Sequence, residues 1–149
     1  MTKVPQVRVI PPLPEQVKKI RVAAYARVSS NSADQLNSFI TQVEYYTQYI
    51  QSKYEWEFAG LYADEAVTGT ATDKRTDFQR LIEDCRAGKI DRILVKSISR
   101  FARNTLDCIQ TARELKLLGV AIEFEKENID TGNMGSEMLL SILGSAAQE

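Results

Sequence analysis

The sequence predicts an α/β domain with a mainly parallel sheet of about four to five strands and helices on both faces. Short apolar runs rich in β-branched residues alternate with segments whose apolar residues recur every three or four positions, which is typical of parallel strands joined by helices. The run Ile93-Leu94-Val95 contains no polar residue, as expected of a strand buried on both faces. With 149 residues, 44% of them hydrophobic and 26% charged, the chain has the balance of one compact domain.

The N-terminal segment differs from the rest of the chain in composition. All four prolines lie within the first 14 residues. Because proline lacks a backbone N–H and fixes φ, this segment is unsuited to a helix and favours an extended, flexible arm. We therefore expect a proline-rich arm over residues 1–19 and a folded domain that starts at residue 20.

Strands are predicted where β-branched and aromatic residues cluster in short runs between polar segments. The first such run combines Val22 and Tyr25 with small residues, and the third contains the apolar run described above. The predicted strands cover residues 20–27, 56–62, 92–96 and 120–124.

Helices are predicted where apolar residues share one face at helical spacing. The first covers residues 36–50. The second begins with Thr76-Asp77-Phe78-Gln79, which has the S/T-x-x-E/Q form of a capping box. Asn104 or Thr105 is expected to cap the third helix, and Ser136 opens the fourth,.

The sequence contains no histidine and two cysteines, Cys85 and Cys108. Without histidine, a Ser-His-Asp or Cys-His catalytic centre is excluded, and the isolated cysteines lack the paired spacing of zinc ligands. We expect both to be buried free thiols, which suit a reducing compartment. The sequence has no run near the roughly 20 apolar residues of a membrane span and no apolar signal segment, so we expect a cytoplasmic protein without a membrane partner.

The charges are unevenly distributed, although 19 basic residues nearly balance 20 acidic ones. Residues 74–103 hold nine basic and four acidic side chains, a balance of +5. Residues 104–149 hold three basic and eight acidic side chains, a balance of −5. This asymmetry is a modest indication of a surface that binds a polyanion.

The carboxyl ends of the first three predicted strands carry residues suited to phosphate chemistry. Arg27 ends the first strand, Ser29 follows it, and Asp64 follows the second. Arg100 and Arg103 follow the third. Because the carboxyl ends of parallel strands meet at one edge of the sheet, we expect these side chains to share a crevice. A hydroxyl among guanidinium groups suits attack on a phosphodiester, since arginine binds phosphate oxygens and stabilises the charge of the transition state.

Each of these residues also has an ordinary structural interpretation. A serine after a strand is most often a turn residue or a helix cap. Asp64 could form a turn or pair with an arginine, and Gln42 on the first helix could be an exposed polar residue. Arg100 and Arg103 could be a solvated pair at the start of a helix, although cations there are mildly unfavourable and a bound anion would compensate them.

Four blocks of sequence occur in a fixed order over residues 20–149. They are YARVSS at 25–30 with Gln42 on the next helix, DEAVTG at 64–69 with Arg75, DRILVKSISRFARN at 91–104, and ENIDT at 127–131. In this order and spacing they resemble the serine recombinases, the family of resolvases, invertases and large integrases and transposases. Four ordered blocks are far more specific than any one motif.

The resemblance implies a resolvase-like catalytic domain over residues 20–135, with Ser29 as the nucleophile. The positions that match the arginines holding the scissile phosphate are Arg27, Arg75, Arg100 and Arg103. The positions that match supporting active-site residues are Gln42 and Asp64, and Lys96 is a further expected contact to DNA phosphate.

The resemblance also implies the reaction and the partners. Serine attacks a phosphodiester of double-stranded DNA at a specific recombination site and forms a 5′-phosphoserine intermediate with a free 3′ hydroxyl. Strand exchange and religation within a tetramer complete recombination, and neither a metal ion nor a cofactor is needed.

Two positions and the C-terminal end point to a particular branch and to a longer protein. Ser99 and Thr68 stand where small resolvases usually have Asp and Ser, and they resemble the large integrase and transposase branch. Residues 136–149 match the start of the long helix that carries dimer and tetramer contacts. Because that helix is cut after Glu149, we expect this fragment to be monomeric or to associate weakly. The resemblance also implies that the region that reads the DNA sequence lies beyond this helix.

Other classes of function fit the sequence less well. A receiver or flavodoxin-like module would carry acidic residues after the first and third strands, where arginine and serine stand. The seven glycines form neither GxGxxG nor GxxxxGK, which argues against a nucleotide-binding domain. The sequence lacks the DxD pair of a Toprim metal nuclease. A catalytically silent, recombinase-like DNA-binding regulator stays open as an alternative.

Overall fold

The computed structural model describes Pro5 and residues 18–29, 32–66 and 75–146. The strands are β1 (Ile20–Ser29), β2 (Trp56–Ala66), β3 (Arg92–Val95), β4 (Ala121–Phe124) and β5 (Ile129–Asp130). They form one sheet in the order β2-β1-β3-β4-β5, in which β5 alone runs antiparallel to its neighbour. The predicted, mainly parallel sheet is confirmed, whereas most of the expected N-terminal arm falls outside the described residues.

Helices cover both faces of this sheet, as predicted. They are α1 (Ser32–Gln51), α2 (Thr76–Arg86), α3 (Ile98–Phe101), α4 (Thr105–Leu117) and α5 (Ser136–Ala146), with a 3₁₀ turn at Thr131–Asn133. On one face, Tyr46 and Ile50 of α1 pack against β1 and β3. On the other face, α2, α4 and α5 enclose the larger core. No helix in the described ranges is long and apolar enough to cross a membrane.

A row of aromatic rings ties the elements of the larger core together. Tyr25 of β1 meets Phe78 of α2 edge to face, with ring centroids 5.1 Å apart. Phe101 of α3 lies between Phe78 and Phe124 of β4, at centroid distances of 5.3 and 5.4 Å. Each such pair contributes about 0.5–1.5 kcal/mol beyond the burial of its surface. The row therefore fixes the short helix α3 against the sheet.

Strands β1 and β2 extend further than their apolar residues indicate. β1 ends at Ser29 and β2 at Ala66, and the parallel ladder pairs Arg27 with Asp64 and Ser29 with Ala66. The ladder is held by backbone hydrogen bonds, so it continues into polar sequence where side-chain periodicity gives no signal. Ser29 and Asp64 consequently lie within strands rather than in the loops that follow.

The start of α2 differs from the predicted capping box. The residue before the first turn is Arg75, not Thr76, and its side chain makes no capping hydrogen bond. Arg75 has a φ of 42°, in the left-handed region that is uncommon for a residue with a Cβ atom. The N–H groups of the first turn are instead satisfied by a residue of β2, as described below.

The segment between β3 and α4 contains a one-turn helix that the sequence did not predict. Ser97 caps α3 by accepting a hydrogen bond from the Arg100 N–H at 3.3 Å. Asn104 caps α4, as predicted, by accepting from the Asp107 N–H at 2.8 Å. Arg100 therefore lies in α3 and Arg103 in the connection to α4, so the two arginines do not begin one helix.

Cys85 of α2 and Cys108 of α4 are buried free thiols, as predicted. Burial raises the pKa of each thiol to about 12. Both thiols therefore stay protonated near neutral pH, where the thiolate is the reactive form. They serve as small apolar side chains of the core.

Candidate active site

A cavity of about 450 Å³ opens at the carboxyl ends of β1 and β3, beside α1. Arg27 of β1, Lys96 directly after β3, and Arg100 of α3 line it. α1 contributes Gln42 and one carboxylate, Asp34. Three cations and one carboxylate among the described lining residues suit the binding of an anion such as phosphate. The structure thus brings together four of the residues that the sequence indicated.

The proposed nucleophile, Ser29, is the last residue of β1, two positions beyond Arg27. Its backbone pairs with Ala66 at the end of β2. The strand that carries Ser29 therefore ends at the edge of the sheet where the cavity opens. The side chain of Ser29 lies outside the described residues, as does Thr68.

Gln42 connects α1 to β1 at the cavity through hydrogen bonds. Its amide Nε2 donates to the Arg27 carbonyl at 3.4 Å and to the carbonyl and hydroxyl of Ser38 at 3.3 and 3.2 Å. Nη2 of Arg27 donates to the Glu65 carbonyl at 3.3 Å. Gln42 is half-buried, and it connects helix and strand at the arginine that lines the cavity.

Asp64 is a buried carboxylate, 9% exposed, that joins three elements. It accepts hydrogen bonds from the Tyr25 hydroxyl at 2.7 Å and from the backbone N–H groups of Asp77 and Phe78 at 2.9 and 3.0 Å. These two N–H groups belong to the first turn of α2, whose donors have no partner within the helix. Asp64 is therefore the cap of α2, supplied from a neighbouring strand, and not a turn residue.

Arg75 lies behind the cavity rather than in its lining. The residue is 5% exposed, and its guanidinium carbon sits 3.8 Å from the ring centroid of Phe78. Nη2 donates to the carbonyl of Phe101 at 2.5 Å and, over a longer distance of 3.5 Å, to that of Arg100. Nε lies 3.5 Å from the Tyr25 hydroxyl. Arg75 thus holds the backbone of α3 through these carbonyl groups, on the side away from the cavity.

Arg103 and Ser99 lie away from the described lining of the cavity. Arg103 is exposed, and its backbone N–H donates to the Asp107 carboxylate at 3.1 Å. Ser99 is also exposed, with its hydroxyl 3.0 Å from that of Ser97. The structure therefore brings Arg27 and Arg100 together at the cavity but leaves Arg103 on the surface beyond α3.

Tyr25 belongs to this site, although the sequence indicated it only as a residue of the first strand and of the YARVSS block. It lines the cavity, and its hydroxyl lies between Asp64 and Arg75. Burial raises the pKa of Tyr25 to about 12, so the hydroxyl keeps the proton that it donates to Asp64. The signal that could have indicated Tyr25 is its size: it is a large aromatic residue in a strand of small residues. It stands three positions before Val28 and four before Ser29.

A cluster of tyrosines and glutamates lies between α1 and β4, close to Lys96. The Tyr45 hydroxyl donates to Glu125 at 3.2 Å, and the Tyr49 hydroxyl donates to Glu123 at 3.3 Å. Burial raises the pKa of Glu125, and the charge of Glu123 acts in the same direction, whereas the Tyr45 hydroxyl and Lys96 act against it. One carboxylate oxygen of each glutamate is buried without a hydrogen-bond partner among the described residues.

Replacing Glu125 with glutamine is expected to raise the thermal stability of the protein near pH 8. A carboxyl with a raised pKa in the folded state adds stability in acid that is lost as the pH rises through that pKa. Glutamine cannot ionise, so the melting temperature should exceed that of the wild type by about 1–2 °C at about pH 8. The difference should shrink as the pH falls toward about 5, near the ordinary glutamate range.

Differential scanning calorimetry across this pH range measures the effect. Glu83→Gln, which makes the same substitution at an exposed position of α2, is the matched control. A Glu125→Gln protein that is less stable than the wild type at both ends of the range would contradict the assignment.

The chain matches the family model described as Resolvase, N terminal domain, over residues 22–149. It is 37% identical over 92 residues to the Transposon Tn3 resolvase of Escherichia coli, a match that covers 60% of this chain and 49% of the relative. It is 33% identical over 91 residues to the R46 site-specific recombinase of Escherichia coli, covering 60% and 48%. The chain thus spans about half the length of these curated relatives.

Two solved structures are similar to this one over most of their length. One is a resolvase family site-specific recombinase from Streptococcus pneumoniae, with a TM-score of 0.68, 29% identity and 87% of each chain covered. The other is the N-terminal catalytic domain of TP901-1 integrase, with a TM-score of 0.65, 26% identity, and 84% of this chain and 92% of that chain covered. Since the family model extends over nearly the whole folded region, this chain belongs to the family of resolvase N-terminal domains, the serine recombinases.

Proposed function

We propose that this chain is the catalytic domain of a site-specific DNA recombinase that cleaves DNA with Ser29. The observation that carries the proposal is the basic cavity at the carboxyl ends of β1 and β3. Arg27, Lys96 and Arg100 lie around the end of the strand that carries the serine. The family, whose relatives include a resolvase and a site-specific recombinase, supports the same activity.

The reaction follows from the chemistry of these groups. The Ser29 oxygen attacks the phosphorus of a DNA phosphodiester, and the bond to the 3′ oxygen breaks. The serine proton ends, through solvent, on the departing 3′ oxygen, which leaves a 5′-phosphoserine and a free 3′ hydroxyl. One phosphodiester replaces another, so the hydroxyl can later attack the phosphoserine and reseal a strand. Guanidinium groups bound to the non-bridging oxygens stabilise the charge that builds up in each transition state.

The surrounding residues have distinct proposed roles. Arg27 and Arg100 bind the scissile phosphate, and Lys96 adds a point charge at the same cavity. Asp64 and Gln42 hold the walls in place through the contacts described above. The supporting contacts of Arg75 keep α3 in position, and the exposed Arg103 is suited to a neighbouring phosphate of the DNA backbone.

The proposed substrate is double-stranded DNA at a specific recombination site, and the proposed second partner is further copies of the protein. Residues 136–149 are proposed as the start of the oligomerisation helix. In α5, Leu139 and Leu143 are buried against the domain while Met138 and Leu140 on the same helix are exposed. This leaves apolar surface for contacts between copies. We expect these contacts to be weak in the 149-residue chain, and we expect the full-length protein to form dimers and tetramers.

The test is covalent trapping of the natural full-length protein on linear DNA that carries its recombination site. EDTA is present throughout, and the mixture is denatured before electrophoresis. We expect a protein adduct on the 5′ end of the break and a 3′ hydroxyl that terminal transferase can label. DNA binding without an adduct under every trapping condition would favour the catalytically silent regulator. An adduct on the 3′ end would contradict the proposed reaction.

A further inference from the structure

The segment from Lys96 to Arg100 carries two of the three cations of the cavity, yet it has little stability of its own. Lys96 follows the last residue of β3, and Arg100 lies in the four-residue helix α3. A single helical turn fixes several residues for very few hydrogen bonds and does not persist in isolation. The position of Arg100 therefore depends on contacts that α3 makes with the rest of the protein.

The turn between β4 and β5 makes two hydrogen bonds to the segment from Lys96 to Arg100, one of them to α3 itself. The N–H of Lys126 donates to the Lys96 carbonyl at 2.8 Å. The Glu127 carboxylate accepts from the backbone N–H of Ile98 at 2.7 Å. Ile98 is the first residue of α3, so a carboxylate from 29 residues further along the chain binds the first N–H of this helix, in addition to the cap that Ser97 supplies to the Arg100 N–H. Such a charge-assisted hydrogen bond is about twice as strong as one between neutral groups.

The turn is itself held in one conformation. Phe124 pairs with Ile129 in the antiparallel ladder of β4 and β5, and the Asn128 N–H donates to the Glu125 carbonyl at 3.2 Å. Asn128 has a φ of 54°, a left-handed conformation that asparagine adopts more readily than most residues. The ordered turn between β4 and β5 therefore holds the Glu127 carboxylate in a fixed position next to α3.

We propose that Glu127 is a positioning residue for the phosphate-binding cavity, acting through α3 on Arg100. The proposal rests on the function proposed above and deepens it. Glu127 holds the N-terminal end of α3, and Arg75 holds the carbonyls at its C-terminal end. Between these two contacts, the turn that carries Arg100 is fixed at both ends. Releasing one end allows Arg100 to move relative to the phosphate, and small displacements of such groups lower catalytic rates strongly.

Two substitutions separate the hydrogen bond from other effects of Glu127. Glu127→Ala removes the acceptor, and Glu127→Gln keeps an oxygen acceptor while removing the charge. Glu83→Ala, which deletes a carboxylate from an exposed position of α2, is the matched control. All measurements are made well below the melting temperature of the least stable variant.

The first measurement is amide hydrogen exchange in the 149-residue chain. We expect the Ile98 amide to exchange at least about tenfold faster in Glu127→Ala than in the wild type, because an opened hydrogen bond loses its protection. Exchange in Glu127→Gln should lie between that of Glu127→Ala and that of the wild type, because a weaker, neutral acceptor remains. Exchange in Glu83→Ala should stay close to that of the wild type. Unchanged exchange at Ile98 in Glu127→Ala would overturn the proposal.

The second measurement is the rate of covalent adduct formation by the full-length protein at saturating DNA. We expect Glu127→Ala to be slower by about 10- to 100-fold, with Glu127→Gln within about threefold of the wild type and DNA affinity unchanged. Equal losses in both variants, or a full rate in Glu127→Ala, would overturn the positioning role. If the wild type forms no adduct, the proposed function fails alone. In that case, titration of inorganic phosphate into the 149-residue chain tests the positioning role of Glu127. The Kd for phosphate should rise in Glu127→Ala and not in Glu127→Gln, and an equal Kd in Glu127→Ala and the wild type would overturn the proposal.

Discussion

Replacing Ser29 with alanine is expected to abolish the covalent protein–DNA adduct while leaving the fold and the affinity for DNA intact. The substitution removes the single oxygen atom that would form the bond to phosphorus. Loss of a nucleophile typically lowers a rate by several orders of magnitude. Binding is expected to stay within about threefold, because phosphate contacts from basic side chains supply most of the affinity for DNA.

The measurement compares adduct yield and DNA affinity in the same protein preparations. Ser30→Ala is the matched control, since it deletes a hydroxyl from the next residue of the chain. We expect Ser30→Ala to form the adduct and Ser29→Ala to form none. An adduct that persists in Ser29→Ala, or that disappears in Ser30→Ala alone, would assign the nucleophile to a different residue.

The sheet and its helices could be predicted from the sequence because apolar periodicity reports burial directly. The run Ile93-Leu94-Val95 lies in the middle of the sheet with all three residues fully buried. The same signal stops where a strand becomes polar, which is why the last residues of β1 and β2 were predicted as loops. The one-turn helix α3 and the two-residue strand β5 are too short to show any periodicity.

The sequence predicted which residues belong to the candidate site better than it predicted how they are arranged. Sequence order and the carboxyl ends of the strands indicated Arg27 and Arg100, and the resemblance to the serine recombinases added Lys96. All three line the cavity. The burial of Arg75 could not be predicted, because it depends on carbonyl groups of α3 that lie 25 and 26 residues away in sequence. Local spacing carries no information about such distant partners.

The start of α2 carries the sequence of a capping box, yet the capping box does not cap the helix. Thr76 and Gln79 have the residue types of a capping box, yet Arg75 in a left-handed conformation precedes the helix. Asp64 accepts hydrogen bonds from the N–H groups of Asp77 and Phe78 in the first turn. The Gln79 N–H, which the Thr76 side chain of a capping box would bind, donates instead to the Arg75 carbonyl. A charged acceptor held by the sheet replaces a neutral one whose side chain would have to be ordered for the purpose.

Replacing Asp64 with alanine is expected to lower the free energy of unfolding by about 3 kcal/mol. The substitution leaves three donors without their acceptor in a buried position: the Tyr25 hydroxyl and the N–H groups of Asp77 and Phe78. Each unsatisfied buried donor costs about 1–3 kcal/mol, and water that enters the space left by the carboxylate recovers part of this. Asp64→Asn keeps one acceptor oxygen, so its loss should be about half as large.

Urea denaturation of the 149-residue chain measures these losses, with Glu65→Ala as the control. Glu65 is the next residue of β2 and is exposed, so its replacement should change the free energy by less than about 0.5 kcal/mol. If Asp64→Ala proved as stable as Glu65→Ala, the cap of α2 would have to come from elsewhere. If Asp64→Ala and Asp64→Asn lost the same amount, the stabilisation would come from the charge and not from the number of donors satisfied. The predicted order, alanine below asparagine below aspartate, holds only if Asp64 joins β1, β2 and α2 through all three hydrogen bonds.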